Sequence, residues 1–232
     1  MSGTGRSGAP GRAPSSFSLI VFDCDGVLVD SEPISNGVLA DMLAEQGWTL
    51  TLAEARAQFQ GMLLTDIRGV AERELGRALP DGWLDEYVTR RAAVFEAELA
   101  AVPGAAGVVQ RVLDAGLPVC IASQGSLAKI GRSLALTGLE PLFAPHARFS
   151  AYEVPRGKPF PDLFLRAAAA FDADPGACAA IEDTPSGVIA AVRAGMTVFG
   201  FSADSDEHAL REAGATATAD TLDAIGDLVL GQ

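Results

Sequence analysis

Apolar positions along this chain fall into two kinds of run that alternate over most of its length. Short, nearly continuous apolar runs occupy residues 18–23, 117–123, 147–150, 179–182, 197–201 and 215–219. Runs of this length, bounded by acids, glycine or proline, predict strands buried on both faces, as in a parallel sheet. Between them lie segments with helical spacing at 105–115, 127–136, 161–171 and 184–194. The last has Thr184 as N-cap, Pro185 at the first helical position and Gly195 just past the end, the expected asymmetry of helix termini. Strands alternating with helices of this length predict right-handed βαβ units.

One stretch breaks the alternation. From residue 32 to about residue 100 no strand pattern occurs; helical segments are expected at 33–46, 52–59, 64–75 and 83–99. An all-helical insert after the first strand predicts a small cap domain (32–100) over the carboxyl edge of a sheet built from 17–31 and 101–232. Val102-Pro103-Gly104 marks the return. The predicted class is therefore α/β: a Rossmann-like doubly wound parallel sheet with an inserted helical cap. Residues 1–16 are mostly Gly, Ser, Pro and Arg with little to bury and are expected to form a disordered tail.

Charge narrows the partners. The 232 residues carry a formal net charge of −13, so no positive field recruits nucleic acid or an anionic membrane surface. No apolar stretch approaches the roughly 18 residues of a membrane span. An anionic small molecule has to be met by a few local cations. Cys24, Cys120 and Cys178 are odd in number and widely spaced. This points to buried thiols in a reducing cytoplasm rather than disulfides or a zinc site. The acidic surface is compatible with a monomer, which is the expectation.

Four segments place polar groups at expected strand ends, where open α/β sheets bind ligands. In Asp23-Cys24-Asp25-Gly26 the two carboxylates face one side of an extended chain. At about 4 Å and an effective dielectric near 20 they repel by roughly 4 kcal/mol, so a cation or a shared proton is needed between them. Gly26 permits an unusual exit turn. In Ser123-Gln124-Gly125 a hydroxyl sits just before a helix start, where backbone N–H groups are free for a phosphoryl oxygen. Lys158-Pro159 supplies a cation. Glu182-Asp183-Thr184-Pro185-Ser186-Gly187 brings two more acids, enough to complete an oxygen cage for Mg²⁺.

Taken in this order, Asp23-Cys24-Asp25-Gly26-Val27-Leu28-Val29-Asp30-Ser31-Glu32, Ser123, Lys158-Pro159 and Glu182-Asp183 with Gly187 resemble the haloacid dehalogenase superfamily. The helical insert resembles the cap of its β-phosphoglucomutase-like branch. The run Phe59-Gln60-Gly61-Met62 and the stretch from Arg156 to Pro161 are similar to that branch's sugar-phosphate phosphatases, including the 6-phosphogluconate phosphatase kind. The resemblance implies a Mg²⁺-dependent phosphatase acting on a small phosphate ester. Asp23 would be the nucleophile and Asp25 the acid and base, which requires a raised pKa at Asp25 in the first step. Asp23, the Asp25 backbone carbonyl and Asp183 would hold Mg²⁺, with Glu182 supporting a bound water. Ser123, Gln124 and Lys158 would bind phosphate. Specificity would come from the cap and nearby loops, with Gln60, Gly61, Arg68, Arg90, Arg91 and Arg156 as candidates.

Two other readings carry different signatures. A phosphoglucomutase resembling this chain has a His shortly after the first motif and a Lys before the cap glycine; Ser35 and Gln60 stand there instead. A phospho-accepting signalling module also uses clustered acids, a hydroxyl and a Lys, but needs neither a general acid two residues on nor a cap.

Overall fold

The computed structural model describes residues 17–59 and 62–232; the expected tail at 1–16 lies outside them. Six strands form one sheet: β1 (Leu19–Phe22), β2 (Val119–Ser123), β3 (Arg148–Ser150), β4 (Cys178–Glu182), β5 (Thr197–Phe201) and β6 (Ala217–Ala219). Their order is β3-β2-β1-β4-β5-β6, and every neighbouring pair is parallel. The order reverses at β1, so a crevice opens at the carboxyl ends of β1, β2 and β4.

Side-chain alternation explains the two covered faces. Ile20 and Phe22 point into one core with Ile121 and Ile181. Leu19 and Val21 point into the other with Cys120 and Ala180. On the first face lie α5 (Ala105–Asp114), α6 (Leu127–Leu136) and α10 (Leu222–Leu230), through Val108, Val109, Ile130, Leu134, Ile225 and Val229. On the second lie α7 (Asp162–Ala170), α8 (Pro185–Arg193) and α9 (Glu207–Glu212), through Leu163, Phe164, Val188, Ala191 and Leu210. Every residue of β1, β2 and β4 is buried, hence their unbroken apolar character. Cys24, Cys120 and Cys178 are free and buried. Helices α9 and α10 are additions to the elements expected from the pattern; α9 is only six residues long, too short for a clear helical period.

Among the described residues, four helices occupy the insert: α1 (Glu32–Glu45), α2 (Leu52–Phe59), α3 (Leu64–Leu75) and α4 (Trp83–Glu98). They close on an apolar cluster of their own, including Leu39, Leu43, Phe59, Ile67, Trp83 and Tyr87. The chain leaves and re-enters the sheet side by side. Val29 bridges Ala101 in antiparallel fashion, Asp30 N–H donates to Ala100 O (2.9 Å) and Val102 N–H donates to Leu28 O (3.0 Å). Among the described residues no helix is long and apolar enough to cross a membrane.

Helix α10 completes the first core, and Ile225 is fully buried there. Ile225→Ala should destabilise the protein by about 2–5 kcal/mol, read from the urea midpoint. A loss below about 1 kcal/mol would mean that α10 does not close this core.

Candidate active site

Asp23 follows β1 directly. Its N–H donates to Ile181 O of β4 (3.0 Å), and the next residues fold back as Gly26 N–H donates to Val29 O (2.9 Å). Because Phe22 pairs with Ile181 across β1 and β4, Asp23 meets Glu182 and Asp183 side by side. One carboxylate oxygen from each of the three lies within 4.8 Å of the others, and all three residues are buried. Two glycines make room for them. A Cβ on Gly26, whose φ is +84°, would fall 2.2 Å from Asp183 Oδ2, and one on Gly187 would fall 2.0 Å from Glu182 Oε2. A side chain at either position would displace the carboxylate beside it.

Lys158 sits within this group. Its Nζ lies 2.6 Å from Asp23 Oδ1 and 2.5 Å from Glu182 Oε1, and its side chain is only 3% exposed. Burial opposes the ammonium charge, but Asp23 and then Glu182 overcome it and push the pKa up. Burial raises Asp23 despite the opposing pull of Lys158. It also pushes Glu182 up to about 7, against the pull of Lys158 and with the repulsion of Asp23. Asp183 is raised well above its ordinary value by burial and by the charges of Asp23 and Glu182. One ammonium among three buried carboxylates leaves an excess of negative charge. The donors are hard oxygens at close range, so the set fits a small divalent cation such as Mg²⁺.

Asp25 has a different environment. Its Oδ1 accepts from Ser31 Oγ and Lys129 Nζ, and its Oδ2 accepts from Ser123 Oγ (3.4 Å). Burial works against its charge, yet Lys129 and Ser31 outweigh burial and hold the carboxyl below its ordinary range. The raised pKa expected at Asp25 is therefore not found in this arrangement, because an ammonium faces it. Sequence reasoning overlooked Lys129. Its signal was present: the chain has only two lysines, and Lys129 lies in the first turn after the N-cap Ser126, six residues beyond Ser123.

Ser123 closes β2 fully buried, with its Oγ also accepting from Gly125 N–H (3.0 Å). Gln124 lines the cavity, and its side-chain amide clamps the Lys158 backbone: Oε1 accepts from Lys158 N–H (3.1 Å) and Nε2 donates to Lys158 O (3.4 Å). Its side chain thus positions Lys158.

Above the acids lies a cavity of about 360 Å³, enclosed by Asp23, Asp25, Lys129 and Lys158 below and by α1, α3 and α4 above. Of the four candidate arginines only Arg91 lines it. Arg68 pairs with Glu72 (2.8 Å), and Arg90 pairs with Glu45 (2.5 Å) and Glu86 (2.6 Å). Arg156 pairs with Asp162 (3.0 Å) and stacks 4.4 Å from the centre of the Phe160 ring. Adjacent helical residues point about 100° apart, which separates Arg91 from Arg90. Gln60 and Gly61 lie outside the described residues.

Known proteins bear on this geometry. The family model described as haloacid dehalogenase-like hydrolase matches residues 17–195. The 6-phosphogluconate phosphatase of Escherichia coli (strain K12) is 33% identical over 191 residues, covering 82% of this chain and 85% of that protein. A haloacid dehalogenase-like protein from Agrobacterium tumefaciens superposes with a TM-score of 0.81 at 32% identity, covering 93% of this chain and 98% of that one. A haloacid dehalogenase family hydrolase from Deinococcus radiodurans, crystallised with bound phosphate and sodium, gives 0.77 at 29% identity, covering 93% and 96%. The profile spans β1 through α8 and so contains every strand-end acid described above; this chain belongs to the haloacid dehalogenase-like hydrolase family.

Proposed function

We propose that this hydrolase is a Mg²⁺-dependent phosphatase that removes phosphate from a small ester, a sugar phosphate by class, through an aspartyl phosphate on Asp23. The observation that carries this reading is a buried carboxylate at the cavity floor with an ammonium 2.6 Å from one of its oxygens. A phosphoryl group arriving there meets a nucleophile and a counter-charge together. The phosphatase activity of the Escherichia coli relative and the phosphate bound by the Deinococcus protein support the same chemistry.

A carboxylate is ionised at neutral pH and needs no base before attacking phosphorus. An Asp23 oxygen forms the new P–O bond as the ester P–O bond breaks, and the leaving alkoxide takes a proton from Asp25. Water then attacks the phosphorus of the aspartyl phosphate and gives its proton to Asp25, which releases inorganic phosphate and restores Asp23. Lys129 and Ser31 hold Asp25 in position, and loosening the Lys129 contact is the condition for Asp25 to carry a proton. Lys158 and Ser123 offset the charge on the phosphoryl oxygens. Asp23, Asp183 and the Asp25 backbone carbonyl would hold Mg²⁺, with Glu182 beside them. Bound there, the ion would neutralise the repulsion between carboxylate and phosphate. The cap covers the cavity and excludes water from the ester.

Asp23→Asn should fold normally and lose turnover of a phosphate ester with Mg²⁺ present by about 10⁴-fold or more. Near-wild-type phosphate release would overturn the nucleophile.

The acids also set a pH dependence. Glu182 has a folded pKa of about 7 against 4.5 for the free side chain, and Asp183 is raised as well. The folded state therefore holds more protons than the unfolded one across this interval. Stability is fully present below the unfolded values and falls as pH rises through the folded ones. With chelator, the melting temperature should drop by several degrees between pH 5 and pH 7.5. Mg²⁺ binds the ionised carboxylates, so it should raise the melting temperature more at pH 7.5 than at pH 5. Equal gains at both pH values would count against these acids as the ion's ligands.

A further inference from the structure

Helix α4 carries a ridge at intervals of four residues: Trp83, Tyr87, Arg91 and Phe95. Such residues lie on one helical face. Three of them are buried aromatics, yet the third position holds an arginine. Arg91 lies 5.0 Å from the centre of the Tyr87 ring and 5.5 Å from that of Phe95. The rings take up part of the guanidinium surface and leave its N–H edge for other partners. Unlike Arg56, Arg68 and Arg90 on the same insert, Arg91 has no ion pair or hydrogen bond among the described residues. It lines the cavity that Asp23 floors. Across the same Phe95 ring, at 5.8 Å from its centre, sits Lys129 of the core.

A guanidinium stacked on aromatic rings inside a ligand cavity is built to receive a planar anion through two N–H groups. A second phosphate fits less well. It would bring about two negative charges to one guanidinium whose charge already acts on Asp25, in a cavity also lined by Asp23 and Glu32. A carboxylate brings one. Resting on the phosphatase reading above, we propose that Arg91 is a specificity-determining residue that receives the carboxylate of a phosphorylated sugar acid, at the end of the substrate away from its phosphate.

The test compares two esters that differ only at that end: 6-phosphogluconate, and glucitol 6-phosphate, in which an alcohol replaces the carboxylate. Wild type should prefer the acid in kcat/KM. Arg91→Gln should lose roughly 10- to 100-fold on the acid, mostly through KM, and lose much less on the alcohol, so that the preference collapses. Arg91→Lys should restore part of it. Turnover of the alcohol by each variant shows that it is folded. If wild type shows no preference for the acid, or if Arg91→Gln keeps it, the inference falls while the phosphatase reading stands. Preferential turnover of glucose 1,6-bisphosphate over the acid would overturn the carboxylate in favour of a phosphate. If wild type releases phosphate from none of these esters nor from p-nitrophenyl phosphate, the phosphatase reading falls and this inference with it.

Discussion

The constraint on which this structure depends is the crowding of buried carboxylates at the head of β1 and β4. Parallel pairing of these strands sets Asp23 beside Glu182 and Asp183, and burial then makes each charge costly. Several local features follow from keeping the group together. Gly26 and Gly187 leave space that a Cβ would fill. Gln124 pins the Lys158 backbone so that the ammonium reaches two of the acids. The chain has two lysines among 17 basic residues, and both contact acids of the motifs. Removing a lysine here would leave a buried acid without its partner, which is far costlier than the pair itself is worth.

The insert is tied to this group by the same charges. Lys129 contacts Asp25 below and faces Phe95 of α4 above. At the edges, Arg132 of α6 pairs with Glu96 of α4, and Arg56 of α2 donates to Asp204 O (2.6 Å). These edge contacts are solvent-exposed: the Arg132–Glu96 side chains are 56% and 46% accessible. Exposed pairs contribute about 0–1 kcal/mol each. Cap and sheet are thus held by few strong contacts at the rim, and the insert keeps a core of its own. The insert's own apolar cluster therefore does not depend on the pairs at the rim.

Much of the fold was legible because parallel strands buried on both faces leave unbroken apolar runs. Runs at β1, β2, β4 and β5 were read to within about two residues. Helix α9 was too short to show a period, and α10 ran past the last expected strand. The acids were legible for another reason: a strand end fixes where the next side chain points. Lys129 lies on a helix, where function depends on rotation about the axis, and a lone lysine there reads as solvated surface. The cap arginines show the same limit. Arg90 and Arg91 are neighbours, and only the four-residue ridge through Trp83, Tyr87 and Phe95 tells them apart.

Net charge also takes on a narrower meaning once the cations are located. A formal charge of −13 sets the chain as a whole against anionic partners. Yet at physiological salt the Debye length is about 8 Å, so distant acids on the surface are largely screened from a molecule at the cavity mouth. Inside, Lys158, Lys129 and Arg91 line one cavity of about 360 Å³, where each cation acts at short range. The summed charge therefore governs partners whose own charge extends over tens of ångströms, such as nucleic acid or a membrane face. For a ligand small enough to enter the cavity, the three placed cations decide.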